Sequence, residues 1–229
     1  MARSRLWLMI AVGLSILVLA LSNAVLSDHY MLLSFVLLMA VMLPLFVRFE
    51  RRKLEARELV LLAMLAAIAA VSRIPFAALP SVKPVSAIVI LSALVFGSEA
   101  GFIVGAMAAL VSNIYFGQGP WTPWQMFAWG MMGVSAGLLR NTWWMRKRLG
   151  LLTFGLIWGF LFGWIMNLWV VIDLAVALEW KAVLAVYAQS FYFDLAHALS
   201  NVFFLAILAG GWIKVLERFR KKYGLLDSG

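Results

Sequence analysis

The chain has 229 residues, 65% hydrophobic and 13% charged, with mean hydropathy +0.99 and net charge +9. A soluble domain carries about twice that share of charge, so the solvent here is lipid; there backbone groups are satisfied only within helices or a closed barrel, and long unbroken apolar runs select helices. With no cysteine, and with His29 and His197 on separate segments, the composition excludes disulfides, iron–sulfur clusters and thiolate sites; neither a metal centre nor a cofactor is expected.

A spanning helix needs roughly 20 apolar residues, and on that ruler the chain reads as an all-α polytopic membrane protein of eight segments. The first, 6–26, follows Arg3 and Arg5. It outruns the roughly 7–15 residues of a signal-peptide core, so it is expected to remain as a membrane helix. The second, 30–47, is equally generic, rich in Leu, Val and Met. The charged stretch Glu50 to Glu58 divides this hairpin, 1–50, from a six-helix core, 51–222, which is followed by a cytoplasmic tail, 223–229.

The core opens with 57–73, an alanine-rich helix bearing two small-xxx-small stripes, Ala63/Ala67 and Ala66/Ala70, on adjacent faces. Either both stripes pack internally or one docks a second protein. Arg73 to Pro84 form a loop stiffened by Pro75, Pro80 and Pro84, with Lys83 inside it. Segment 84–97 is short, hence tilted or incomplete as a span. Segment 99–116 carries Gly101, Gly105 and Ala109 and ends near Asn113. Tyr115 to Gln125 make a second loop in which Gly-Gln-Gly-Pro and Thr-Pro turns alternate with aromatics. Gln118, Trp121, Trp124 and Gln125 lie there, with Trp129 one turn further into segment 124–139. An interfacial aromatic belt accounts for the tryptophans but not for the turns; a rigid loop presenting flat rings suits a bulky, partly planar ligand.

Segment 124–139 bears Gly133 and Gly137, and 151–177 bears Gly155, Gly159 and Gly163, stripes that bring backbones into close contact in a compact bundle. Asp173 sits toward the outer end of 151–177, with Asn167 deeper. The last segment, 184–213, holds Asp194, His197 and Asn201 on one face, where Asp194 and His197 are placed to form a charge-assisted pair. It is expected to leave the membrane as an amphipathic tail.

The loops between segments sort the charge. Only Arg73, Lys83 and Lys181 fall on one side, and the other sixteen of the nineteen Lys and Arg residues fall on the opposite side. This asymmetry sets both termini in the cytoplasm, requires an even helix count, and assigns the positive charge to topology and lipid headgroups instead of nucleic acid. Most intramembrane polar groups then lie in the outer half, beneath an outward-facing mouth, where ionisable residues are functional candidates by default.

Residues 57–222 resemble the substrate-binding S components of energy-coupling factor (ECF) vitamin transporters. The likeness is carried by Ala63 to Ala70, the proline-rich loop Arg73 to Pro84, the last helix from Asp194 to Asn201, and most specifically Ser112 to Gly130. The two N-terminal helices are additional to the usual six. The resemblance implies capture of a vitamin or precursor from the outer side, docking of Ala63, Ala66, Ala67 and Ala70 on a transmembrane T subunit, and two cytoplasmic ATPase subunits. The S component is then thought to topple in the membrane to release its ligand. That agrees with the lack of a P-loop here. The expected substrate-binding set is Arg73, Lys83, Asn113, Gln118, Trp121, Trp124, Gln125, Trp129, Asn167, Asp173, Asp194 and His197. The second loop looks most similar to cobalamin-type S components, with riboflavin, queuosine precursors or another vitamin as alternatives.

Two rival readings stay open. Gly133-Val134-Ser135-Ala136-Gly137 matches the G-x-S-x-G nucleophile pattern, and an intramembrane hydrolase would pair Ser135 with His197. The motif works at a strand-to-helix turn, whereas here it lies inside an apolar helix, so no enzyme is expected. The other rival is a membrane assembly protein without a small ligand.

Overall fold

The computed structural model describes residues 55–173 and 179–223, together with Val36, Met39, Met42, Leu43, Phe46 and Val47. Segment 6–26, most of 30–47 and the tail beyond Tyr223 lie outside the described residues. Among those described, six α-helices follow one another: α1 (Ala56–Val71), α2 (Val85–Phe96), α3 (Ser98–Phe116), α4 (Thr122–Leu139), α5 (Arg148–Asp173) and α6 (Trp180–Tyr223). A 3-10 turn, Ile74–Phe76, follows α1 at Pro75.

Helix α1 starts at a capping box, in which the Glu58 carboxylate accepts the Glu55 N–H at 2.9 Å. Leu62, Leu65, Ala66, Ala69 and Ala70 turn inward at three- and four-residue spacing. The opposite face exposes Val60, Ala63, Met64, Ala67 and Ile68, and such an all-apolar exposed face belongs against lipid or another membrane helix. The two alanine stripes therefore part company: Ala66 and Ala70 pack in the bundle, and Ala63 and Ala67 lie on its surface.

Helix α2 has 12 residues, about 18 Å of rise, too short to cross a hydrocarbon core of about 30 Å. Its brevity is tolerated because Val85 to Ala93 are all buried, walled by the other helices. Gly97, at φ 96°, ends α2 and caps α3 at once, a left-handed conformation that favours glycine. Four helices are long and apolar enough to span a membrane, over Ala56–Phe76, Ser98–Phe116, Arg148–Ile172 and Trp180–Tyr223. The six expected core helices are all present: four are long and apolar enough to span a membrane by themselves, and α2 and α4 run between the same two ends inside the bundle.

Glycines set the closest pairings. A side chain at Gly133 would strike the Gly101 backbone, and one at Gly105 would strike the Trp129 carbonyl, so α3 and α4 touch main chain to main chain. Gly159 meets Ala198 in the same way, locking α5 on α6. From the upstream segment, Met42 is buried with Phe102, Trp124 and Val134, and the Phe46 ring meets Phe102 edge-on at 5.3 Å. Helix α6 runs through Gly210 and Gly211, past the expected end at 213, because helix-forming charged residues continue to Tyr223.

Candidate functional site

The α1–α2 and α3–α4 connections, together with the facing turns of α5 and α6, form a polar end of the bundle. Arg73, just beyond α1, is 6% exposed. Its guanidinium donates to Ser112 Oγ and, at 3.1 Å, to Asn113 Oδ1; it lies 4.6 Å from the Phe116 ring centroid and 4.9 Å from that of Trp129. Hydrogen bonds and two π-faces offset the cost of burying this cation. Its Nε is buried with no partner among the described residues.

Asn113, 1% exposed at the end of α3, joins this cation to α4. Its amide nitrogen donates to Thr122 Oγ1 at 3.0 Å and to Gln125 Oε1 at 2.7 Å. Thr122 in turn donates to Gln118 Oε1 at 3.0 Å and accepts the Gly119 N–H at 3.2 Å, which satisfies the hydroxyl fully. Gln118 donates to Leu110 O at 2.8 Å. The Gly-Gln-Gly-Pro loop is laced onto the start of α4, with Pro123 in its first turn.

A second chain runs deeper. Trp129 Nε1 donates to Ser86 Oγ at 3.3 Å, and Ser86 Oγ lies 2.9 Å from His197 Nε2. Phe162 stacks on Trp129 at 5.0 Å and meets the His197 ring edge-on at 4.7 Å. The Lys83 backbone is bracketed by Ser200 Oγ, which accepts its N–H at 3.0 Å and donates to its carbonyl at 3.2 Å. Lys83 Nζ donates to Phe76 O and Leu79 O. Burial holds the Lys83 ammonium below its usual pKa, and the neighbouring Arg73 charge adds to this.

Seven of the expected residues thus share one connected cluster: Arg73, Lys83, Asn113, Gln118, Gln125, Trp129 and His197. Asn167 and Asp194 form a separate station, both bonded to Ser190 Oγ at 2.7 and 3.0 Å, with the Asp194 carboxyl against Gly163. The expected Asp194–His197 pair is not made, because the two side chains diverge: Asp194 turns toward α5 and His197 toward α2. Trp124 is buried among apolar side chains of α3 and α4. Trp121 sits at the surface, 36% exposed, tilted on Trp169 at 6.4 Å. Asp173 ends α5, and its side chain lies outside the described residues.

The hydroxyl partners Ser86, Ser112, Thr122, Ser190 and Ser200 were not singled out from sequence. A serine costs little in an apolar helix, so its polarity alone is a faint signal; Ser86, two residues beyond Pro84 in an otherwise apolar stretch, is the most legible. Ser135 Oγ donates back to Met131 O and Met132 O of its own helix, and His197 is engaged by Ser86, so the two do not form a nucleophile–base pair.

A helical membrane bundle with stacked rings, amides and a cation gathered at one end has the composition of a membrane-embedded small-molecule-binding protein. The family model described as "ECF-type riboflavin transporter, S component" matches residues 53–218. The chain belongs to this family: it is a substrate-binding S component of an ECF transporter, a transport protein and not an enzyme. The match lends no support to the expected cobalamin type. No curated protein and no solved structure matches the chain.

Proposed function

We propose that this S component captures riboflavin in the polar end of its bundle, on the outer face of the membrane, and hands it to a T subunit driven by two cytoplasmic ATPases. The family's description names riboflavin. The observation that carries the reading is the stacked Trp129–Phe162 pair beside Arg73, Asn113 and Gln125. Riboflavin is a flat three-ring aromatic with an imide edge and a polyhydroxyl chain. Rings suit its faces, amide groups its donors and acceptors, and a guanidinium its carbonyl oxygens. Lys83, Gln118 and His197 would border the same space. Asn167 and Asp194 would meet the hydroxyl chain, and Trp121 would flank the mouth. Charge asymmetry supports the orientation, with the basic end in the cytoplasm.

The exposed Ala63/Ala67 stripe is the proposed docking face, since small residues let a partner helix approach closely. Purified protein titrated into riboflavin should quench flavin fluorescence with one-to-one stoichiometry, and cobalamin should not compete. Trp129→Ala should weaken binding about 2- to 12-fold from the lost ring pair alone. Ala67→Trp should spare binding and abolish uptake in cells supplied with the T subunit and ATPases. Failure to quench, or uptake that survives removal of the T subunit, would overturn the reading.

A further inference from the structure

At the basic end, opposite the polar cluster, a cavity of about 1000 Å³ opens between the last turn of α2, the α4–α5 connection and α6. Its walls change character in one direction. Helix α5 begins at Arg148 and turns apolar at Leu151 and Leu152; α6 is apolar from Leu205 to Ile213 and then presents Lys214 and Arg220. Six Lys and Arg side chains line the space against the single carboxylate of Glu217. Two of them tie the walls together: Arg148 Nη2 reaches Ala206 O at 3.5 Å and Arg220 Nη1 reaches Val95 O at 2.8 Å.

This gradient matches a phospholipid passing from acyl chain to headgroup. A soluble anion satisfies the basic rim but leaves the apolar half wet, and a neutral lipid brings no net negative charge to that rim. A volume of this size is at the upper end of ligand pockets, and basic pockets between membrane helices recognise anionic headgroups. We infer that the cavity is a binding site for one anionic phospholipid, its phosphate held by Arg146, Arg148 and Lys214 and its first methylenes against Leu151, Leu205 and Ile213. This site is distinct from the proposed vitamin site and does not depend on it.

Native mass spectrometry of the full chain tests this, with phosphatidylglycerol and phosphatidylcholine titrated into delipidated protein. One phosphatidylglycerol should be retained in preference to phosphatidylcholine. The combined Arg146→Gln, Arg148→Gln and Lys214→Gln variant should bind it about a hundredfold more weakly, at roughly fivefold per charge. Arg57→Gln, at the same end but outside the cavity, should bind as wild type. Gly210→Trp guards against misfolding of the triple variant: Gly210 lines the cavity and a Cβ there meets nothing within 4 Å, so an added ring has room to fill the space with every charge in place and should expel the lipid. Equal retention of both lipids, or unchanged retention in Gly210→Trp, overturns the inference. So does inorganic pyrophosphate binding as tightly as the lipid, which would make the ligand a soluble phosphate. Complete loss of lipid on assembly with the T subunit would assign this face to a protein partner and also overturn it.

Discussion

Asn113→Ala probes the polar end at its most connected point. The side chain accepts from Arg73 and donates to Thr122 and Gln125, at 1% exposure. The bond to the cation is worth about 1.5–3 kcal/mol and each neutral bond about 0.5–1.5 kcal/mol. Thr122 keeps Gln118 and Gly119 as partners, so the damage concentrates on Arg73 and Gln125. A loss of about 3 kcal/mol follows, and at about 2–4 °C per kcal/mol for a chain of this length the melting temperature should fall by about 10 °C. Intrinsic tryptophan fluorescence during a thermal ramp in detergent reads this directly. Asn113→Asp retains an acceptor for Arg73 but removes both donors, so it should fall less far than alanine. If Asn113→Ala melts within about 2 °C of wild type, or if aspartate is worse than alanine, the network does not hold this end together as described.

The other predictions concern packing and protonation. Ala66→Leu, which overfills the bundle, should cost about 1–3 kcal/mol, while Ala67→Leu on the exposed face should change stability by less than about 0.5 kcal/mol; matched melting curves compare them. Gly133→Val, forced against the Gly101 main chain, should part α3 from α4 and lower the melting temperature by several degrees, whereas Gly210→Ala, with open space around it, should be neutral or stabilising by up to about 1 kcal/mol. Because burial depresses the Lys83 pKa, the unfolded chain holds that proton to higher pH than the native one. Stability should therefore rise as pH climbs from the depressed value toward the ordinary 10.5, and Lys83→Met should flatten that rise in melting measured across pH.

The core helices were legible because apolar length is a coarse signal that lipid makes decisive. Segments read at 99–116 and 124–139 became Ser98–Phe116 and Thr122–Leu139. The glycine and alanine stripes announced close contacts but not their partners: nothing in the spacing of Gly101 and Gly133 says that they face each other. Hydropathy likewise could not show that the 84–97 segment is enclosed by other helices, since a buried helix and a lipid-facing one have the same composition. At the site, charged and amide residues stood out against their apolar background, and five of them, Arg73, Lys83, Asn113, Gln118 and Gln125, share one cluster with Trp129 and His197. The Asp194–His197 pairing failed because spacing along one helix places residues on a face without saying which neighbour each side chain will reach. The serines that bind both were hidden by how cheaply a hydroxyl is accommodated in a helix.

The length of α6 limits how the protein can move. Forty-four residues rise about 66 Å, more than twice the hydrocarbon thickness of about 30 Å. Its last turns bear Lys214, Arg218, Arg220, Lys221 and Lys222, and each such charge drawn to the bilayer centre costs about 2.5–3.5 kcal/mol. If the bundle tilts as a rigid body, the pivot must stay near this charged foot, and the opposite end, with its cluster of rings and amides, must travel the longer arc.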